Sequence, residues 1–164
     1  MDQSEHAEQE PESQSEEQKL RAAAFETPLR GIVSVVYGDA GKDFGYILRD
    51  DEQYYYDPRL LASEARPARG DTVFFIAKPP LKAGGKPIAA AVLVKGKHAV
   101  GTIVNMLPSG RAGFVQVADE RGHRFNLYMG LTEAIAEAQV GERFRFVASE
   151  NRRGPSAIRP ERVE

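Results

Sequence analysis

The feature that most constrains the fold is a series of five short, β-rich runs that occurs twice along the chain. The first series reads GIVSVVY, FGYILR, YYY, TVFFIA and PIAAAVLV, and the second reads VGTIVNM, GFVQV, RFNLY, RFRFVA and SAIRPERV. Gly, Pro and Asp separate the runs, as is typical of strands joined by turns. Gly31 aligns with Gly101, and Gly70 with Gly141, at an offset of about 70 residues that is too long for a solenoid repeat. A chain of 164 residues therefore holds two copies of one small domain.

A stretch of helical character lies between the third and fourth runs of each series, DPRLLASEA in the first and GLTEAIAEA in the second. Five strands with a helical turn between strands three and four describe an OB-type barrel. We therefore predict an all-β chain with two tandem five-stranded OB-type barrels, over residues 29–97 and 98–164. The join, VLVKGKHAVG, leaves only about 4–5 free residues, which predicts a fixed pair and not two beads on a flexible linker.

The N-terminal part, residues 1–28, is predicted to be a disordered acidic tail. Residues 1–18 lack the apolar content to offset the entropy of ordering, although 15–26 could form a short helix. Residues 1–20 hold seven acids and one base, a net charge of −6, and the rest holds 21 bases and 17 acids, a net charge of +4. Such a split is consistent with a nucleic-acid binder that has an acidic arm, or with a solvated tail on an ordinary domain.

Several classes of protein are disfavoured by what the sequence lacks. It has no cysteine, no apolar run of the roughly 18–20 residues that a membrane span needs, and no secretory signal, so we expect a cytoplasmic protein without membrane contact. His98 and His123 have no carboxylate at a useful sequence spacing, and neither a phosphate-binding loop nor a metal-ligand cluster is visible. We expect no catalysis and no cofactor.

Strand parity separates the aromatic residues of the first copy. In FGYILR, Phe44 and Tyr46 share one face of the strand, and the small or aliphatic residues between them face the core. In EQYYYD, turning Tyr54 and Tyr56 outward would bury an amide and a carboxylate, at a cost on the order of 2–7 kcal/mol for the amide alone. We therefore predict that Tyr54 and Tyr56 pack inward and that Tyr55 is the exposed ring beside Phe44 and Tyr46. Asp57 and Pro58 then begin the helical turn.

The second copy gives the same parity. In RFNLY the apolar Phe125 and Leu127 face inward, and the residues that alternate with them, Tyr128 included, face outward. In AGFVQV the valines face inward, which predicts that Phe114 is exposed on the outer face, beside Ala112.

These motifs, in this order, resemble the cold-shock domain family. The residues that carry the resemblance are GIVSVVYGDAGKDFGYI, GTIVNMLPSGRAGFVQV and above all NRRGPSAIRPERV, and together they extend over residues 30–164. Three features depart from the family pattern: Asp43 stands in place of a motif glycine, Ala112 stands in place of a motif phenylalanine, and the family's third-strand histidine has no counterpart. The resemblance implies tandem cold-shock-type domains that bind single-stranded nucleic acid, with an RNA-chaperone or expression-regulating role.

Exposed rings bind single strands by stacking, and neighbouring cations hold the phosphates. The predicted nucleic-acid-binding residues are Lys42, Phe44, Tyr46, Arg49, Tyr55, Lys82 and Lys86 in the first copy and Arg111, Phe114, Arg124, Tyr128, Arg152 and Arg153 in the second. The partner would be single-stranded RNA or DNA, bound by a monomer with little sequence preference. Acids at the strand ends of the first copy argue against this, so the alternative is a diverged OB pair that binds a protein.

The acidic tail could compete with nucleic acid for the basic loops, so we expect tighter binding at low salt after deletion of residues 1–20. An unchanged affinity would contradict this expectation.

Overall fold

The computed structural model describes residues 27–38, 43–131 and 137–163. The described residues form ten β-strands and one 3₁₀ turn, Pro58–Leu60. In chain order the strands are β1 (Leu29–Tyr37), β2 (Phe44–Arg49), β3 (Glu52–Tyr56), β4 (Thr72–Lys78), β5 (Ile88–Val94), β6 (His98–Met106), β7 (Ala112–Ala118), β8 (Arg124–Gly130), β9 (Arg143–Asn151) and β10 (Gly154–Arg162). The described part of the chain contains no helix that is long and apolar enough to cross a membrane.

The strands close into two barrels with the same topology. Barrel 1 has the order β1-β2-β3-β5-β4, and barrel 2 has the equivalent order β6-β7-β8-β10-β9. Neighbouring strands are antiparallel except for the third and fifth of each barrel, which are parallel. This is the strand order of an OB fold, so the predicted fold class is confirmed. The predicted tail and its short helix lie largely outside the described residues.

The two predicted helical stretches have different outcomes. In the first, Asp57 caps the turn by accepting a hydrogen bond from the Arg59 amide at 3.0 Å, with Pro58 in the first position, as predicted. The helix is much shorter than the stretch suggested, because Leu61 is already extended and forms a parallel bridge with Val92. Most of the second stretch, residues 132–136, lies outside the described residues.

Strand β3 has the predicted register. Tyr54 and Tyr56 are buried in the core of barrel 1, at 7% and 4% exposure, whereas Tyr55 is half-buried on the outer face. Burial raises the pKa of the Tyr56 hydroxyl to about 12. The prediction for Asp57 is wrong, because Asp57 was expected to face solvent and is only 6% exposed. Its carboxylate stays satisfied because Tyr55 and Arg59 donate hydrogen bonds to it, at 3.0 Å each.

Strands β4 and β5 lie between the two barrels and supply both cores. Val73 and Phe75 pack in the core of barrel 1, while Phe74 and Ile76, which alternate with them, pack in the core of barrel 2. All seven residues of β5 are buried. Strands covered on both faces have continuous apolar sequences, which explains why TVFFIA and IAAAVLV show no alternation of polar residues.

The connection between the barrels is as short as the join predicted. Strand β5 ends at Val94 and β6 begins at His98. The linking backbone is fixed to barrel 2, since the Gly96 amide donates to the Ala148 carbonyl at 2.8 Å and the Ala148 amide donates to the Lys97 carbonyl at 2.9 Å. The barrels therefore form one packed unit.

Candidate nucleic-acid interface

Four rings lie together on the outer face of strands β1, β2 and β3. The register pairs Tyr37 with Phe44 across β1 and β2, and Tyr46 with Tyr55 across β2 and β3. Residues paired directly across a sheet project to the same face. The Phe44 ring is 4.8 Å from Tyr37, 6.0 Å from Tyr46 and 5.8 Å from Tyr55, measured between ring centroids. We call these four residues the aromatic platform.

Phe44, Tyr46 and Tyr55 were predicted on this face, but Tyr37 was missed. It is 46% exposed and stacks on Phe44 with an interplanar angle of 27°. Simple alternation from the buried Val33 would send Tyr37 into the core. The register of β1 shifts between Val33 and Val35, so the parity is reversed after this bulge and Tyr37 faces out. One signal in the sequence could have indicated the position of Tyr37: it ends its strand with an aromatic residue, and the next strand begins with another, Phe44.

Basic residues of the β4–β5 loop border the platform. Lys82 and Lys86 are exposed, and the Lys86 Nζ lies 6.0 Å from the centroid of the Tyr46 ring, within cation–π distance. The loop and the platform enclose an open groove of about 520 Å³, lined by Tyr46, Tyr55, Leu81, Lys82, Ala83, Gly84, Gly85, Lys86 and Ile88. The groove therefore has flat rings on one side and cations on the other, which are the two elements that single-strand binding requires.

Two of the acids at the strand ends of barrel 1 have partners that weaken their repulsion of a phosphate backbone. Asp43, next to Phe44, forms an ion pair with Arg66. The carboxylate of Asp57 is occupied by Arg59 and Tyr55. Burial alone would raise the pKa of Asp57, but these hydrogen bonds outweigh burial and hold the pKa below its ordinary value.

Three further acids of barrel 1 lie at the other end of strands β2 and β3. Asp50, Asp51 and Glu52 form the β2–β3 turn with Arg49, which lies five residues or about 17 Å along β2 from Phe44. Arg49 is half-buried and its guanidinium is 3.4 Å from the Asp50 carboxylate. Arg49 thus lies apart from the platform, and Lys42 lies outside the described residues. The predicted cations that the structure describes beside the rings are Lys82 and Lys86.

The described residues of barrel 2 form no equivalent platform. The prediction that Phe114 is exposed is wrong, because its side chain is 0% exposed. Ala112 and Leu107 occupy the positions that correspond to Phe44 and Tyr37, and neither is aromatic, so barrel 2 has no stacked pair at these positions. Tyr128 is half-buried, with its ring centroid 6.1 Å from that of Phe114.

The predicted cations of barrel 2 are at the surface but dispersed. Arg152 and Arg153 lie in the exposed β9–β10 turn and line, with Tyr128 and Asn151, a shallow depression of about 290 Å³. Arg111 and Arg124 are exposed at opposite ends of the β7–β8 pair.

The assignment of His123 as a histidine without a carboxylate partner is wrong. Its Nδ1 lies 3.0 Å from Oδ2 of Asp119, whose side chain is fully buried. Asp119 also accepts hydrogen bonds from the amides of Ala91, Arg121 and His123, at 2.9–3.0 Å. With its oxygens occupied in this way, the carboxylate is a structural acceptor. Among the described residues no group of three or more metal-ligating side chains occurs.

Comparison with known proteins finds only similarities to solved structures at low sequence identity. No family profile and no curated protein matches the chain. Among solved structures, the chain is similar to Drosophila Unr CSD456, with 15% identity and a TM-score of 0.34, over 86% of this chain and 63% of that one, so it spans less than two thirds of the fly structure. It is also similar to a murine DNA binding protein bound with double-stranded DNA, with 8% identity and a TM-score of 0.29, over 85% of this chain and 100% of that one. A third similar structure is the tetrameric p202 HIN2, with 10% identity and a TM-score of 0.30, over 86% of this chain and 94% of that one. Because these TM-scores are low, function is inferred below from the geometry of this chain alone.

Proposed function

We propose that the protein binds single-stranded nucleic acid, RNA or DNA, on the aromatic platform of barrel 1. The observation that carries the proposal is the cluster of four outward rings at centroid distances of 4.8–6.5 Å with the Lys86 ammonium over one of them. Successive bases stack on such rings irrespective of their identity, so binding has little sequence preference. Lys82 and Lys86 hold the phosphates of the same strand. The predicted role as a cold-shock-type RNA chaperone or regulator, acting as a cytoplasmic monomer, belongs to this proposal.

One test removes a ring. Labelled oligo-U and oligo-dT are titrated by fluorescence anisotropy with wild type and with Tyr46→Ala. Loss of one stacked base weakens binding by about 5- to 150-fold, the equivalent of roughly 1–3 kcal/mol. Val140→Ala is the matched control, because Val140 is an apolar side chain that is 62% exposed in barrel 2. Both variants must retain the thermal midpoint of wild type. Equal affinities of Tyr46→Ala and Val140→Ala would refute the platform.

A second arm of the same titration tests the two lysines. The logarithm of the binding constant falls linearly with the logarithm of the salt concentration, with a slope of about −0.7 per neutralised phosphate for single strands. Lys82→Ala/Lys86→Ala should therefore make the slope shallower by about 1.4. A slope identical to that of wild type would exclude these lysines as phosphate ligands.

The alternative, a module that binds a polypeptide, is favoured by a different observation. Ile32 and Leu48 are paired across β1 and β2 on the same outer face, and each is 39% exposed. Aliphatic side chains beside the rings suit an apolar peptide better than a charged strand. If no oligonucleotide binds at low salt, this reading replaces the first.

A further inference from the structure

One ring of the aromatic platform is held by a buried carboxylate. The Tyr55 hydroxyl donates at 3.0 Å to Oδ2 of Asp57, which lies directly after the end of β3. The Arg59 guanidinium donates to the same oxygen at 3.0 Å, and the Arg59 amide donates to Oδ1 at 3.0 Å. Partial burial and then the bond to Asp57 raise the pKa of the Tyr55 hydroxyl, which therefore keeps its proton. Because Asp57 is buried, losing this donor would leave part of its carboxylate unsatisfied, so the bond restrains the Tyr55 ring.

The turn that begins at Asp57 is held by barrel 2. The backbone amide of Glu120, in the β7–β8 turn, donates to the Arg59 carbonyl at 3.1 Å. Glu120 follows Asp119, whose carboxylate accepts from the Ala91 amide of β5 at 2.9 Å. The β7–β8 turn thus contacts barrel 1 at two points, on the 3₁₀ turn and on β5.

The chain that follows the 3₁₀ turn is fixed to barrel 2 as well. Ala62 packs against the core of barrel 2. The Glu64 amide donates to the His98 carbonyl at 2.9 Å, and the Glu64 carboxylate accepts two hydrogen bonds from Arg145, at 2.8 and 2.9 Å. Residues 57–64, which we call the bridging segment, therefore connect a ring of the platform at one end to barrel 2 at the other.

We propose that barrel 2 positions Tyr55 for base stacking through the bridging segment, with the Asp57 carboxylate and the Glu120 backbone amide as the positioning groups. A base binds more tightly to a ring that is already fixed at the stacking angle, because ordering a side chain on binding costs free energy. Barrel 2 thus contributes to the affinity of a surface that belongs to barrel 1. The inference rests on the proposed function of the platform.

The Glu120 amide can be removed without disturbing its own turn. The Gly122 amide donates to the Asp119 carbonyl at 3.1 Å, so Glu120 is the second residue of a four-residue turn, a position that proline favours. Glu120→Pro removes the N–H group that the Arg59 carbonyl accepts, and Glu120→Ala retains it. In anisotropy titrations with oligo-dT, Glu120→Pro should bind about 2- to 12-fold more weakly than Glu120→Ala, the effect of having to order one side chain on binding. Equal affinities of the two variants would overturn the proposal.

A double-mutant cycle tests whether Asp57 acts through Tyr55. Tyr55→Phe keeps the ring and removes the hydroxyl, and Asp57→Ala removes the acceptor. Their losses of oligonucleotide affinity should not add in the double variant, because both remove the same hydrogen bond. The matched pair, Asp57→Ala with Lys82→Ala, should be additive. Additive effects in both pairs would contradict the proposal. Should Asp57→Ala fail to fold, the comparison of Glu120→Pro with Glu120→Ala decides.

A measurement without ligand separates this inference from the proposed function. In NMR spectra of protein with isotope-labelled tyrosine, Glu120→Pro should shift the ring resonances of Tyr55 more than those of Tyr37, because Tyr37 lies on β1, two strands from the start of the bridging segment. If the Tyr55 resonances shift but wild type binds no oligonucleotide, the proposed function fails and the link between barrel 2 and Tyr55 is supported. If wild type binds and the Tyr55 resonances do not move, positioning by barrel 2 is refuted.

Discussion

A single glycine allows the aromatic platform to form. Gly45 lies between Phe44 and Tyr46 and faces inward, where a Cβ atom would come within 2.4 Å of the Val35 carbonyl oxygen and 2.6 Å of the Tyr56 hydroxyl. No such approach is tolerated by a real side chain, so the two strands can be this close only at glycine. The equivalent Gly113 of barrel 2 is similarly crowded, with the Asn105 carbonyl oxygen at 2.6 Å.

Gly45→Ala should therefore lower the free energy of unfolding by about 1–3 kcal/mol, because the methyl group forces β1 or Tyr56 to move. Oligonucleotide affinity should fall as well, since the flanking rings shift. Urea denaturation measures the first effect and anisotropy the second. Gly130→Ala is the control, as nothing lies within 4 Å of its added Cβ, and it should stay within about 0.5 kcal/mol of wild type. Equal midpoints for the two variants would contradict the steric argument.

Among the elements, the β7–β8 turn connects the barrels through one carboxylate. Asp119 closes its own turn by accepting from the amides of Arg121 and His123, and its Oδ2 accepts from the Ala91 amide of β5 at 2.9 Å. Ala91 has a φ of 51°, within the bulged part of the β4–β5 pair. The bulge releases this amide from the β4–β5 ladder, and the turn of barrel 2 supplies its acceptor.

Asp119→Ala should destabilise the protein by about 1–3 kcal/mol, because the buried Ala91 amide loses its acceptor. Asp119→Asn keeps one oxygen and should cost less. The specific readout is hydrogen exchange at the Ala91 amide, which should accelerate in Asp119→Ala. Glu120→Ala changes the neighbouring exposed acid and should leave exchange at Ala91 unchanged. Unaltered exchange in Asp119→Ala would show that the carboxylate does not connect the barrels.

For the molecule as a whole, the junction between the barrels combines a shared core with ion pairs. Glu150 of barrel 2 meets Arg30 at 3.1 Å and Lys95 at 2.9 Å, and Glu64 meets Arg145 at 2.8 Å. Hydrogen bonds from Arg30 and then Lys95 lower the pKa of Glu150 below its ordinary value of 4.5. A carboxyl group with a lowered pKa in the folded state stabilises the protein above its unfolded pKa.

The contribution of Glu150 should therefore depend on pH. At pH 7, Glu150→Gln should be less stable than wild type by about 1 kcal/mol, the scale of a partly exposed ion pair. The difference should shrink as the pH falls below about 4.5 and through the lowered pKa, where wild type takes up the proton. Urea unfolding at several pH values measures it, with Glu120→Gln as control. A difference that is constant from pH 7 to pH 3 would contradict the assignment.

Two barrels, the approximate positions of their strands and the inward tyrosines of β3 followed from local pattern. Alternation of apolar residues, turn residues and the cost of burying an amide act within a few residues of each other, so a single sequence contains them. Tyr37, by contrast, was missed because a bulge in β1 reverses parity without a signature in the residues themselves. The hydrogen bond from the Ala91 amide to Asp119 was missed because Ala91 lies 28 residues away, in a strand that begins in the other barrel.

What the sequence alone determined is the face to which side chains project from the regular parts of each strand, because alternation is a local property of the backbone. The bulge that turns Tyr37 outward is the exception. Tertiary structure decided which outward face meets solvent. Phe114 and Tyr46 project in the same way from equivalent strands, yet one is fully buried and the other is part of an open platform. Burial of an outward residue depends on parts of the chain that are far apart in sequence, and no periodicity within the strand encodes their approach.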